Sequence, residues 1–301
     1  MAIKDYFLNL FSYVRLLRVE QWSKNIFVFF PLFFGRQILD PATIFLSVIG
    51  FFSFSLIASS VYCINDIFDL EADKKHPIKC NRPLASGKVK MRVVIILIIG
   101  LLFASLLLNQ LFQPKSSSIL IVLLSYFVLN LLYTMKLKQF AIIDVFLIAV
   151  GFVLRLFVGS FSGDIKLSQW IILMTFLLTL FLAFAKRRDD VLIYQESGIV
   201  TRKNILQYNV IFLNIVLSLL SSVTIVAYIM YTVDTDIKHS PNNNEYLYLT
   251  SVFVIMGILR YLQQTLVFQK SGDPTNILLK DKVIQLIILC WIISFVIILY
   301  I

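Results

Sequence analysis

Cysteine and histidine are scarce in this chain of 301 residues, with three of the first and two of the second. Cys63, Cys80 and Cys290 are odd in number and widely spread, which excludes a disulfide framework and a zinc-type ligand spacing. His76 and His239 leave little histidine for acid–base work. Acids are outnumbered, 17 Asp+Glu against 27 Lys+Arg. No polar stretch is long enough for a soluble domain. The first 22 residues lack a small-residue cleavage site, so a cleavable signal peptide is not expected there.

Apolar residues, by contrast, make up 59% of the chain, where soluble domains of this length sit nearer half. The excess has to face lipid. The expected fold is an all-α, polytopic membrane bundle forming a single domain over 1–301. Spans fall near 25–39, 43–65, 93–112, 118–134, 140–160, 168–185, 208–232, 246–268 and 283–301, nine helices in all. With the N-terminus inside, twenty-one basic residues fall on the cytoplasmic side and four on the other, and the C-terminus lies outside. That bias predicts an inner (plasma) membrane protein whose charged loops face the cytoplasm. Residues 1–22 carry Phe7, Leu10, Phe11, Val14 and Leu17 on one helical face, which suits an interfacial amphipathic helix. The bilayer is the expected surrounding, with no nucleic acid; a homo-oligomer is compatible.

The run from Thr43 ends in "CINDIFDLEADKKHPIKCNRPLASGKV", residues 63–89. Asp66, Asp69 and Asp73 follow i, i+3, i+7 spacing, which places three carboxylates on one helical face with Asn65 beside them. Two carboxylates about 5 Å apart repel by roughly 3 kcal/mol at an effective dielectric of 20. Two readings stand: a solvated helix end neutralised by Lys74, Lys75 and Lys79, or a face that holds a divalent ion. Magnesium prefers few carboxylates, several waters and phosphate oxygens, so this face suits a magnesium diphosphate. His76, Lys79 and Arg82 follow closely, as an anion clamp would. A second charged end, "AKRRDD", closes the sixth span, four helices after the first. That repetition fits a duplicated four-helix unit with both ends over one cavity.

"NDIFDLEAD" followed by "HPIKCNRPLASG" resembles the signature of the UbiA superfamily of intramembrane prenyltransferases. The resemblance implies a bundle around a central cavity open to the cytoplasmic face and laterally to lipid. It also implies Mg2+ as cofactor, with Asn65, Asp66, Asp69 and Asp73 as ligands and the three aspartates as catalytic residues. "RVEQWSKNIFVFFPL", "GFVLRLFVG" and "AKRRDDVLIYQESG" are similar to the branch that acts on phosphoribosyl diphosphate, the decaprenyl-phosphate phosphoribosyltransferases. The activity implied is transfer of 5-phosphoribose to a polyprenyl phosphate.

By the same resemblance Lys24, with Asn25, binds phosphate, and Tyr133, Lys138 and Asp144 line the site's mouth. Lys186, Arg187, Arg188, Asp189 and Asp190 stand where aromatic prenyltransferases carry a second aspartate motif. Three cations there suit an anionic partner, which favours phosphoribosyl transfer over the alternative, prenylation of an aromatic acceptor. A transporter is the remaining alternative, and it would need charge pairs in several spans. Arg155 and Arg260 sit inside apolar spans, where Arg155 either has a function or snorkels toward Asp164.

Overall fold

The structure is a computed structural model that describes residues 12–75, 79–113, 117–198, 202–233, 246–269 and 274–300. Among these there is no strand. The α-helices are α1 (Phe30–Phe34), α2 (Pro41–Phe68), α3 (Leu70–Lys75), α4 (Met91–Phe112), α5 (Ser117–Met135) and α6 (Ile143–Gly163). They continue as α7 (Gln169–Ser197), α8 (Val210–Val233), α9 (Ser251–Leu262), α10 (Pro274–Lys280) and α11 (Lys282–Tyr300). Eight helical segments among the described residues are long and apolar enough to cross a membrane, matching eight of the nine expected spans. One of these, Leu247–Val267, joins a 3-10 turn, α9 and a π-helical turn over Gln263–Val267.

The expected span at 25–39 takes another form. Val19–Phe29 is a 3-10 helix and only Phe30–Phe34 is α-helical. Pro31, at the start of α1, has no N–H to continue an α-helical ladder back to Phe27. A 3-10 helix rises about 2.0 Å per residue against 1.5 Å for an α-helix, so Val19–Phe34 extends roughly 30 Å. That is close to the thickness of the hydrocarbon layer.

Helix ends follow local chemistry. Asp40 caps α2 by accepting the Thr43 N–H at 3.0 Å, with Pro41 as first residue. Ser168 caps α7, which runs on past its apolar stretch and stops at Gly198, in the left-handed region at φ 69°. Asp281 caps α11 by accepting the N–H groups of Val283 and Ile284 at 2.9 and 3.0 Å.

The chain forms two compact units. The first comprises residues 1–137 and 154–166, the second 138–153 and 167–301, so α6 contributes its first half to the second unit and the remainder to the first. In the first unit α2 is central: 61% of its apolar window is buried, against 17% for α4. Ser47, Ser53, Ser55, Ser59 and Ser60 line its buried face, and small residues let helices approach closely. Ser105 donates to the Ser53 carbonyl at 2.7 Å, and Trp22 Nε1 donates to Ser59 Oγ at 3.0 Å. A Cβ on Gly159 would lie 1.8 Å from the Val28 carbonyl oxygen, so only glycine fits that crossing.

The second unit packs α7 against α8 around Leu177, Leu180, Phe181, Leu213 and Leu217. Taken separately, each unit repeats one order: a long helix with a charged end, a short 3-10 turn, then further membrane helices. Outer faces of α4 and α8 carry exposed Ile96, Ile99, Phe103, Ile211 and Ile215, as lipid contact requires. The N-terminal amphipathic helix is described only from residue 12, and residues 12–17 are helical. There Leu16 is buried against Cys63, Leu84 and Val89, while Val14 is exposed; Phe7, Leu10 and Phe11 lie outside the described residues.

Candidate active site

Asn65 and Asp66 lie on the last turn of α2, Asp69 ends that helix, and Asp73 sits on α3. Asp66 and Asp73 are each 3% exposed. Buried carboxylates need counter-charge, and two arginines supply it. Arg18 Nη2 lies 2.5 Å from Asp66 Oδ1. Arg82 Nη1 lies 3.3 Å from the same oxygen and 2.6 Å from Asp73 Oδ2. Lys74 pairs with exposed Glu71 at 2.8 Å, so the adjacent lysine serves that residue and not the aspartate stripe. The Thr134 hydroxyl bonds the Asn65 side chain and also reaches the Asn130 carbonyl at 2.8 Å.

The loop that bears Arg82 is held by its own backbone. Arg82 N–H donates to the Lys79 carbonyl, Ser86 N–H to the Arg82 carbonyl and Val89 N–H to the Pro83 carbonyl, at 2.8 to 3.0 Å. Leu84 and Val89 bury themselves with Leu16, Cys63 and Val94. Arg18 stands in the left-handed region at φ 51°, an unfavourable place for a side chain, with its guanidinium 5.0 Å from the centre of the Tyr62 ring. Lys79 and Asp69 are half-buried, and His76 lies outside the described residues. Among the described residues, no three His, Cys, Asp or Glu side chains are grouped closely enough to hold a metal ion by themselves.

Lys24 is exposed, whereas its neighbour Asn25 is buried. Asn25 donates to Ser55 Oγ at 2.8 Å and accepts from Arg155 Nε at 2.8 Å. Arg155 is 4% exposed and lies over the Phe54 and Tyr126 rings, at 4.7 and 5.3 Å. It does not snorkel toward Asp164. A desolvated guanidinium gains from aromatic faces and a buried amide what an aqueous interface would otherwise supply.

In the second unit the pattern is different. Asp144, on the first turn of α6, is fully buried and accepts from Arg187 Nε at 2.7 Å. Arg187 also reaches Asp190 at 3.0 Å, and Arg202 lies 3.8 Å from the same Asp190 oxygen. The Tyr208 hydroxyl donates to Asp144 at 3.1 Å and accepts the Ile142 N–H at 2.6 Å, where Ile142 has φ 68°. Burial, and then the Asp144 carboxylate, push the Tyr208 phenol above its ordinary range. Arg188 donates to Asn214 at 2.7 Å and to the Thr265 carbonyl, in the π-helical turn, at 2.8 Å. Two of the three cations of "KRRDD" are therefore buried and bonded within the unit, leaving Lys186, Asp189 and Asp190 half-buried. Lys138 is half-buried in this unit, while Tyr133 belongs to the first.

Residues 26–201 match the UbiA prenyltransferase family. The chain belongs to that family. This UbiA-family protein is thus a multi-pass membrane transferase. It is 31% identical to the decaprenyl-phosphate phosphoribosyltransferase of Corynebacterium glutamicum, over 96% of this chain and 86% of that one. The enzyme of the same name from Mycolicibacterium smegmatis is 32% identical, over 93% of this chain and 89% of its own. Its fold is that of a UbiA homolog from Archaeoglobus fulgidus bound to GPP and Mg2+, at TM-score 0.68 and 18% identity, covering 96% of this chain and all of the other.

Three side chains of this UbiA-family protein escaped the sequence reading: Arg18 and Thr134 in the first unit and Tyr208 in the second. Arg18 opens the resembling stretch "RVEQWSKNIFVFFPL", but it is 48 residues from its partner and no spacing assigns it to Asp66. Tyr208 follows a loop and opens no motif.

Proposed function

We propose that this protein transfers 5-phosphoribose from phosphoribosyl diphosphate to a polyprenyl phosphate of the decaprenyl type, releasing diphosphate. The observation that carries the reading is the buried pairing of Asp66 and Asp73 with Arg18 and Arg82, carboxylates for a metal beside guanidiniums for phosphate. The names of relatives that align along nearly the whole chain point to the same donor and acceptor.

The donor set fits magnesium, because it offers hard oxygens from few carboxylates and leaves the remaining positions to phosphate and water. Asp66, Asp69 and Asp73, with Asn65, would hold it. When bound, the ion supplies charge withdrawal from the leaving diphosphate. Arg82 and Lys79 bind diphosphate oxygens, and the Thr134 hydroxyl fixes the Asn65 amide. Lys24, on the exposed side, takes a phosphate as a point charge, and His76 lies at the same cluster in sequence. The acceptor's phosphate oxygen attacks ribosyl C1, which carries oxocarbenium character; that oxygen is already anionic and needs no strong base. In the second unit the partly exposed Lys186 and Lys138 serve a second anionic group, Asp189 and Asp190 would reach that group through a shared divalent ion, and Arg187, Arg188 and Asp144 set their positions.

In this reading the chain is one UbiA-like domain in the inner membrane, with the N-terminus and the aspartates cytoplasmic and the C-terminus outside. The extended Val19–Phe34 segment supplies the ninth crossing. The test is direct: purified protein with magnesium and labelled phosphoribosyl diphosphate should label a polyprenyl phosphate. Prenyl transfer from a polyprenyl diphosphate to hydroxybenzoate, without phosphoribosyl transfer, would replace this reading.

A further inference from the structure

Asp66 and Asp73 are bridged by one nitrogen. Arg82 Nη1 is 3.3 Å from Asp66 Oδ1 and 2.6 Å from Asp73 Oδ2, so these two oxygens lie within about 6 Å of each other with a guanidinium between them. A divalent ion shared by the two carboxylates needs their oxygens at about 2.0–2.1 Å, inside the volume that guanidinium fills. Metal and Arg82 therefore compete for one place.

The surroundings decide which part can move. The backbone of Arg82 is tied at Lys79 and Ser86, and the neighbouring Leu84 is sealed into the core. Its side chain is 27% exposed, so the protein does not enclose it completely. Arg18 bonds only to Asp66 among the ion pairs described, and the Tyr62 ring lies beneath it. Displacing Arg82 leaves Asp66 with a counter-charge and frees a planar donor fork next to the incoming ion. A diphosphate bound to that ion is the acceptor that fork fits.

We infer that Arg82 is an exchangeable counter-ion: it holds Asp66 and Asp73 together until a divalent metal takes them, then turns to the donor's diphosphate. This rests on the reading of Asp66 and Asp73 as metal ligands. The exchange couples the two binding events, since whatever engages the freed guanidinium favours the metal-bound arrangement, and the reverse holds equally.

The experiment measures binding of Mn2+ alone to the full-length protein in detergent, by the loss of its free-ion electron paramagnetic resonance signal, with no diphosphate present. Arg82→Ala should bind Mn2+ about tenfold more tightly than the unaltered protein, because the competitor is gone. Its melting temperature without metal should fall, and Mn2+ should restore it, whereas the unaltered protein should gain less from Mn2+. Should Arg82→Ala not survive purification, Arg82→Gln, which keeps polarity and most of the bulk, carries the same expectation. Lys75→Ala removes an equal charge from an exposed neighbour and should leave Mn2+ affinity unchanged. Equal or weaker Mn2+ binding by Arg82→Ala overturns the exchange, as does equal tightening by Lys75→Ala. If Asp73→Asn binds Mn2+ as the unaltered protein does, the metal assignment itself fails, whatever Arg82 does.

Discussion

Replacing Arg187 with methionine tests whether the second charged end is scaffold or substrate contact. Arg187 is 1% exposed and its Asp144 partner is fully buried, 2.7 Å away. Removing one member of such a pair strands a desolvated charge and costs about 3–5 kcal/mol. The Tyr208 hydroxyl stays on Asp144 and offsets part of that cost. Replacing both members with apolar residues, Arg187→Met with Asp144→Leu, removes the stranded charge, and such exchanges are often neutral. Thermal unfolding in detergent should therefore drop by roughly 6–20 °C in Arg187→Met, taking about 2–4 °C per kcal/mol, and recover most of the loss in the double variant. An Arg187→Met protein that melts normally but loses donor or acceptor affinity would refute this, and would return Arg187 to the substrate. A double variant no better than the sum of its singles would show that the two residues do not act as a pair.

Gly159→Ala should destabilise the first unit by about 1–3 kcal/mol or more, because its Cβ meets the Val28 carbonyl at 1.8 Å; an unchanged melting curve would contradict that packing. Asp66→Asn and Asp73→Asn should each lower turnover at least about a hundredfold while circular dichroism still reports a folded protein, and full activity in either would remove them from the chemistry. Asp281 loses its role at low pH. Burial raises its pKa, but the Ile284 N–H, Arg260 and the Val283 N–H together outweigh that and hold the carboxyl below its ordinary value. Its stabilisation is thus complete above the unfolded value near 4 and fades as pH falls through the lower folded value. Asp281→Asn, which keeps a capping oxygen and removes the charge, should cost about 0.3–1 kcal/mol at pH 7 and less at pH 3, as read by melting temperature; an equal loss at both would rule out the carboxylate.

Most of the membrane architecture is legible in the sequence because lipid tolerates only helices with continuous apolar runs, and eight such runs became eight helical spans. Where the reading fell short, a specific contact decided the outcome. The expected span at 168–185 extends as helix to Ser197, because Arg187 and Arg188 find buried partners where hydropathy alone sees an exit into water. At 25–39 hydropathy locates the segment but cannot distinguish 3-10 winding from α. Arg155 is visible as an anomaly, yet its aromatic partners come from α2 and α5 and cannot be found by spacing. The aspartate stripe was legible as a motif. That arginines rather than lysines neutralise it was not, since that depends on how residues 18 and 82 fold back onto α2.

The length of α2 sets a depth. Twenty-eight residues at 1.5 Å each make a rod of roughly 42 Å, about 12 Å longer than the oily slab of a bilayer. Under the proposed function, that overhang carries the final turns, and the acids on them, past the hydrocarbon to the stratum where lipid headgroups float. The polyprenyl phosphate of that proposal would present its charged tip at its natural level, without dragging that charge down among the tails.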